Sequence, residues 1–156
     1  MNYWLTVHWP LRLDERKNAA WRNWIFLAEG WQNLGKRIQV GDRVFIYETE
    51  SAARVRVGAR LIRRRPGRKA IVALATVTTP LRYKRTSPEI LEDGRERRWS
   101  YRAQTHTDQE RRLNLAQLRN ILHKPGLSAR VPSGLMKLRK SQFNRILHRF
   151  SQGELF

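Results

Sequence analysis

Arg98-Trp99-Ser100-Tyr101-Arg102-Ala103-Gln104-Thr105-His106-Thr107 decides the fold, because its residues change character at every step. In an extended chain Trp99, Tyr101, Ala103 and Thr105 share one face, and Arg98, Arg102, Gln104 and His106 share the other. A period of two is that of a half-buried strand. Downstream the period changes. Leu115, Leu118, Ile121 and Leu122 form a helical stripe that Asn114 can cap and Pro125-Gly126 ends. Phe143, Ile146, Leu147 and Phe150 form a second stripe, with Ser141 as its expected cap, and residues 134–138 between the two stripes read as a short strand.

Upstream, residues 71–77 (IVALATV) are continuously apolar, as in a strand buried on both faces. Gly41-Asp42 reads as a turn before the strand Arg43-Val44-Phe45-Ile46-Tyr47-Glu48. Residues 3–9 (YWLTVHW) form an opening strand that Pro10 ends. Residues 11–20 are a loop or short helix, residues 21–27 a short strand or turn, and residues 32–38 a short helix. Residues 61–68 read as a strand end with a basic turn, and residues 80–97 as a long polar loop. The sum is α+β: a small mixed or antiparallel β-barrel of about six strands with surrounding helices, a single domain over residues 1–156.

Charge is the unusual quantity. There are 32 Lys plus Arg against 13 Asp plus Glu, a formal net charge of +19. Self-repulsion of that size costs stability in isolation, so a polyanionic partner is expected. Arg outnumbers Lys, and guanidinium pairs bidentately with phosphate and stacks on bases. A GC-rich genome would also raise Arg, but it does not explain the shortage of acids. No apolar run approaches the roughly 20 residues of a spanning helix, so no membrane partner is expected. The chain has no Cys, which excludes disulfides and thiolate metal sites. Residues 1–5 enter the first strand directly, so a cytoplasmic protein without a signal peptide is expected.

Three stretches taken together resemble the PUA-like superfamily, and within it the EVE domains and their relatives the YTH domains. They are Tyr3-Trp4-Leu5 before Pro10, Gly41-Asp42-Arg43-Val44-Phe45-Ile46-Tyr47, and Arg98-Trp99-Ser100-Tyr101-Arg102 followed by residues 113–122 and 135–147. The likeness spans nearly the whole chain. It implies a PUA-like fold that holds a single nucleotide, often a modified base, in an aromatic-lined pocket near the end of the first strand. It also implies basic residues around that pocket on the nucleic-acid backbone, and a link to restriction of modified DNA or reading of RNA modification. The chain departs from the family pattern where His8 and Trp9 replace the usual small polar residue, which leaves the identity of the base open.

The residues themselves supply candidates. Six Trp in a basic chain suit base stacking, although most Trp in small domains fill cores. Trp4 and Trp99 fall on strand faces and are expected in the core. Trp9, Trp24 and Trp31 follow no clear period and are expected in a base-binding pocket with His8, whose ring can both donate and accept a hydrogen bond. Tyr83 stands where YTH domains carry an aromatic cage residue. Arg63, Arg64, Arg65 and Arg68 cluster around Pro66-Gly67 and are expected on phosphates, with Arg54, Arg56 and Arg60 extending the patch. Arg12, Arg82, Lys84 and Arg85 flank the pocket loops.

Catalytic groups are sparse. His8, His106, His123 and His148 form no metal-ligand spacing, and neither a phosphate-binding Gly-rich loop nor GxSxG is present. No metal, no cofactor and no enzyme are expected. The leading reading is a binder of single-stranded or flipped-base DNA or RNA that recognises a base. Such a reader also calls for an effector protein, which the residues do not identify. The alternatives are a nonspecific RNA binder and an ASCH-like hydrolase acting on RNA or a nucleoside.

Overall fold

A computed structural model of the chain describes residues 1–9, 23–50, 54–64, 66–122 and 134–155. Strand β1 (Tyr3–His8) runs parallel to β3 (Arg43–Glu48), with Tyr3 beside Arg43 and His8 beside Glu48. A parallel neighbour needs a crossover, and here the crossover carries β2 (Trp24–Leu27) and the short helix α1 (Gln32–Gly35). Next to β1 lies β11 (Leu135–Leu138), antiparallel; beyond β3 come β6 (Ala70–Val77) and β10 (Tyr101–Asn114). Both β2 and the two-residue β7 (Arg82–Tyr83) pair with β10 near its start. A second sheet has the order β5-β4-β8-β9, from β4 (Arg54–Val57), β5 (Arg60–Arg63), β8 (Glu89–Ile90) and β9 (Glu96–Arg97).

The larger sheet is mixed and curls into a half-barrel. One buried cluster joins Leu135 of β11 to Ile25 and Leu27 of β2, the two ends of the sheet, through Trp4, Ile46 and Ala73. Two features favour the curl. Small side chains, Ala73, Ala75 and Ala103, line its inside. Moreover, β10 shifts register between Thr107 and Gln109 and again between Glu110 and Leu113, and such bulges bend a strand. The outer face packs against helices α2 (Leu115–Leu122) and α3 (Lys140–Ser151). There Leu5, Phe45, Ile71 and Leu74 meet Leu118, Leu122, Phe143, Ile146 and Phe150. Each such side chain contributes about 1.5–3 kcal/mol on burial. Strand β6 is continuously apolar because it feeds both layers.

Asp42 explains the turn before β3. Its buried carboxylate accepts hydrogen bonds from the backbone N–H of Asn2 at 2.8 Å, Trp4 Nε1 at 2.9 Å and the backbone N–H of Gln39 at 2.9 Å. Burial pushes the carboxyl up, but these donors outweigh it and hold it below its ordinary value. Gly41 turns the chain at φ 91°, a conformation that suits glycine. Tyr47, at the other end of β3, is 1% exposed, and burial pushes its phenol up to about 12.

Several sequence expectations need correction. The long polar loop of residues 80–97 contains β7, β8 and β9, which are too short to show a period. The strand expected over residues 98–107 begins at Tyr101 and runs to Asn114, so Trp99 lies before it. Ser141 is inside α3, and it is Gln142 whose side-chain oxygen accepts the backbone N–H of Arg139 at 2.9 Å. Asn114 does cap α2: its Oδ1 accepts from Gln117 N at 2.9 Å while Gln117 Oε1 accepts from Asn114 N at 3.0 Å. The expectations for residues 11–20 lie outside the described residues.

Candidate nucleic-acid interface

Where β1 ends, two aromatic groups meet through consecutive residues, His8 and Trp9. Trp9 is half-buried, with the ring of Trp99 edge-on at 5.1 Å and 79°. Two guanidinium carbons stand over the indole, Arg64 at 4.9 Å and Arg97 at 5.1 Å from its centroid. Arg64 directly follows β5 and Arg97 is in β9 of the second sheet, where it is the cross-strand partner of Glu89. The Glu89 carboxylate pairs with Arg64 Nη2, and the same oxygen accepts from Trp99 Nε1 at 3.3 Å. Arg64 and Glu89 are 7% and 6% exposed. A cation over a half-buried indole is worth about 0.5–2 kcal/mol. The cluster therefore ties the second sheet to the end of β1.

The other group centres on Phe26. Trp24 stacks on it at 6.4 Å and 28°, His8 lies 5.9 Å away at 57°, and the Arg102 guanidinium carbon stands 5.2 Å from its centroid. Arg102 and Phe26 are cross-strand partners on β10 and β2, which places them on one face. Burial pushes the Arg102 guanidinium below its ordinary value. Among the described residues, Arg102 Nε and the hydroxyl of the buried Ser100 find no hydrogen-bond partner. Aromatic faces, fixed cations and unused donors are what recognition of a flat, hydrogen-bonding ring requires.

Of the candidate residues, the structure brings His8 and Trp24 together on Phe26 and places Trp9 in the neighbouring group with Trp99. Tyr83 stands elsewhere, 62% exposed, with its ring 5.6 Å from Tyr101. Because Tyr83 and Tyr101 are cross-strand partners and Arg82 pairs with Arg102, Tyr83 is on the opposite face of β10 from Arg102. Trp31 packs against the half-barrel interior, over Gly134, where an added Cβ would come within 2.3 Å of its ring. Arg63, Lys84 and Arg85 are exposed and Arg68 is half-buried, its backbone N–H donating to Glu48 at 2.9 Å. Arg64, expected among the phosphate contacts, is instead turned inward onto Trp9 and Glu89. Arg12 and Arg65 lie outside the described residues. An open cleft of about 440 Å³ lies at the other end of β1, lined by Asn2, Tyr3, Lys137 and Lys140. None of these aromatic–guanidinium groups lines it.

Sequence reasoning missed Phe26, Arg97, Arg102 and Ser100, and assigned Trp99 to the core. Phe26 had a signal, its place in the aromatic run Trp24-Ile25-Phe26-Leu27. Glu89 and Arg97 had none, because their strands are two residues long.

Comparison with known proteins then decides the family. The model of the EVE domain matches residues 2–149. The chain belongs to the EVE domain family. Its half-barrel resembles human THYN1, solved in complex with 5-methylcytosine-containing DNA, at 14% identity and TM-score 0.59, over 96% of this chain and 97% of that one. It also resembles Rpa0253 from Rhodopseudomonas palustris, at 12% identity and TM-score 0.58, over 97% and 94%. A Pseudomonas putida protein is similar at 17% identity and TM-score 0.58, over 94% and 97%. At these identities the likeness shows the EVE fold alone. No curated protein matches the EVE chain in sequence.

Proposed function

We propose that this EVE domain binds nucleic acid and reads one base, drawn out of its strand, at the end of β1. The observation that carries the reading is the face around Phe26, where Trp24, His8 and Arg102 converge, His8 being next in sequence to the clamped Trp9. Trp24 and Phe26 supply a stacking platform, and the Arg102 guanidinium supplies donors for a base edge. Arg64 acts through Trp9, as a positioning residue. Exposed Arg63, Lys84, Arg85 and the half-buried Arg68 hold phosphates. Family membership supports the reading, as does the 5-methylcytosine-containing DNA in the THYN1 complex. Drawing a base out costs a few kcal/mol and least from a single strand, so single strands and opened duplexes are the preferred targets.

The test is a binding screen with short single strands of one sequence, carrying plain or modified cytosine or adenine at one position, at two salt concentrations. Wild type should prefer one base. Trp24→Ala and Phe26→Ala should lose the preference and retain a salt-sensitive residue of affinity. Variants that discriminate as wild type does would show that the base sits elsewhere.

A further inference from the structure

The exposed face of the second sheet carries a charge pattern that the base-reading face does not use. Strands β4 and β5 form a hairpin ribbon joined at Gly58-Ala59, with the two-residue β8 paired to the other edge of β4 at Arg56. Val55 and Ile62 are cross-strand partners and buried. Alternation turns Arg54, Arg56, Leu61 and Arg63 outward, and all four are exposed. Arg54 stands directly opposite Arg63, and Arg56 opposite Leu61. Like charges directly opposite one another weaken a strand pair. Among the described residues none of these three arginines has a carboxylate partner for its side chain. The ribbon holds this arrangement at a loss until an anion arrives.

Shape and chemistry narrow the anion. The major groove of B-form DNA is about 12 Å wide and admits a two-stranded ribbon. Leu61 is 60% exposed at the turn end of the face, with Arg56 across the strand pair and Arg63 two residues on. An exposed leucine beside arginines suits a groove, whose floor offers thymine methyls and whose walls are phosphates. On the other side Trp9 is held by Arg97 of the same sheet and by Arg64, the residue after β5. We infer that the outward face of the β4–β5 ribbon docks into the major groove of a DNA duplex, the duplex from which the base is drawn. The inference rests on the proposed nucleic-acid function and adds to it a duplex partner and a second contact.

The experiment compares wild type with the double variant Arg54→Gln, Arg56→Gln, which leaves the phosphate-holding Arg63 in place, on three probes of one sequence. The probes are a DNA duplex, a DNA single strand and an RNA duplex, each titrated over a range of salt. The variant should bind the DNA duplex at least about tenfold more weakly, with a salt slope shallower by about two, since each released phosphate contact removes about 0.9. Its affinity for the single strand, its base preference and its affinity for the RNA duplex should stay as in wild type, because the A-form major groove is too narrow to read. Thermal melting should show the variant no less stable than wild type. Unchanged duplex affinity, or equal losses on all three probes, overturns the ribbon while leaving base reading intact. Loss of base preference in Phe26→Ala together with a normal ribbon effect would have the opposite meaning, supporting both contacts as separate.

Discussion

Arg64 places its guanidinium carbon 4.9 Å from the ring centroid of Trp9 while its Nη2 pairs with the buried carboxylate of Glu89. One side chain, directly after β5, thus fixes an aromatic ring at the end of β1. The ring is presented in a set orientation, so little ordering entropy remains to be lost when a ligand meets it.

Breaking this tie should be expensive for stability. Glu89→Gln leaves the Arg64 guanidinium buried without its counter-charge. The unfolding free energy should fall by about 3–5 kcal/mol in a urea titration, and Arg64→Met in the same background should recover part of it. A loss below about 1 kcal/mol would mean that the carboxylate is not the partner that matters.

Asp42 sets an acid limit on the fold. Its carboxyl is depressed in the folded state, so its contribution is complete above the ordinary carboxylate value of 3.8 and is lost as pH falls through the lower folded value. Asp42→Asn should cost about 2 kcal/mol near neutral pH. Wild type and variant should converge in strongly acid buffer. Denaturant titrations at both pH values check this, and an equal gap at both would contradict it.

How much of this was legible beforehand follows from where the signals were stored. The strands β1 and β3, the doubly buried β6 and the stripes of α2 and α3 all rest on short-range periods, and the sequence shows them; the parallel pairing of β1 with β3 joins distant residues and carries no such signal. Trp4 falls on such a period and is fully buried, as expected. Trp99 was misassigned because alternation was extended past the start of β10. The clamp on Trp9 could not be read at all. Arg64 and Arg97 are remote from it in sequence, and the strands that deliver Glu89 and Arg97 are two residues each.

Trp31 owes its place to a glycine. Gly134 has φ 92°, and a Cβ there would lie 2.3 Å from the Trp31 ring. Gly134→Ala should therefore lower stability by more than the roughly 1–2 kcal/mol of left-handed backbone strain. Adding Trp31→Ala should cost less than the sum of the two single changes, because the overlap is gone. Thermal melts of the four proteins measure the coupling, and strict additivity would separate the two residues.

The most direct measurement of base reading compares two single strands that differ at one position, one with the preferred base and one abasic. A single stacked base is worth about 1–3 kcal/mol, so wild type should bind the abasic strand roughly 5- to 150-fold more weakly. Phe26→Ala should hardly distinguish the two strands. If wild type binds the abasic strand as tightly as the complete one, no base is held at the end of β1.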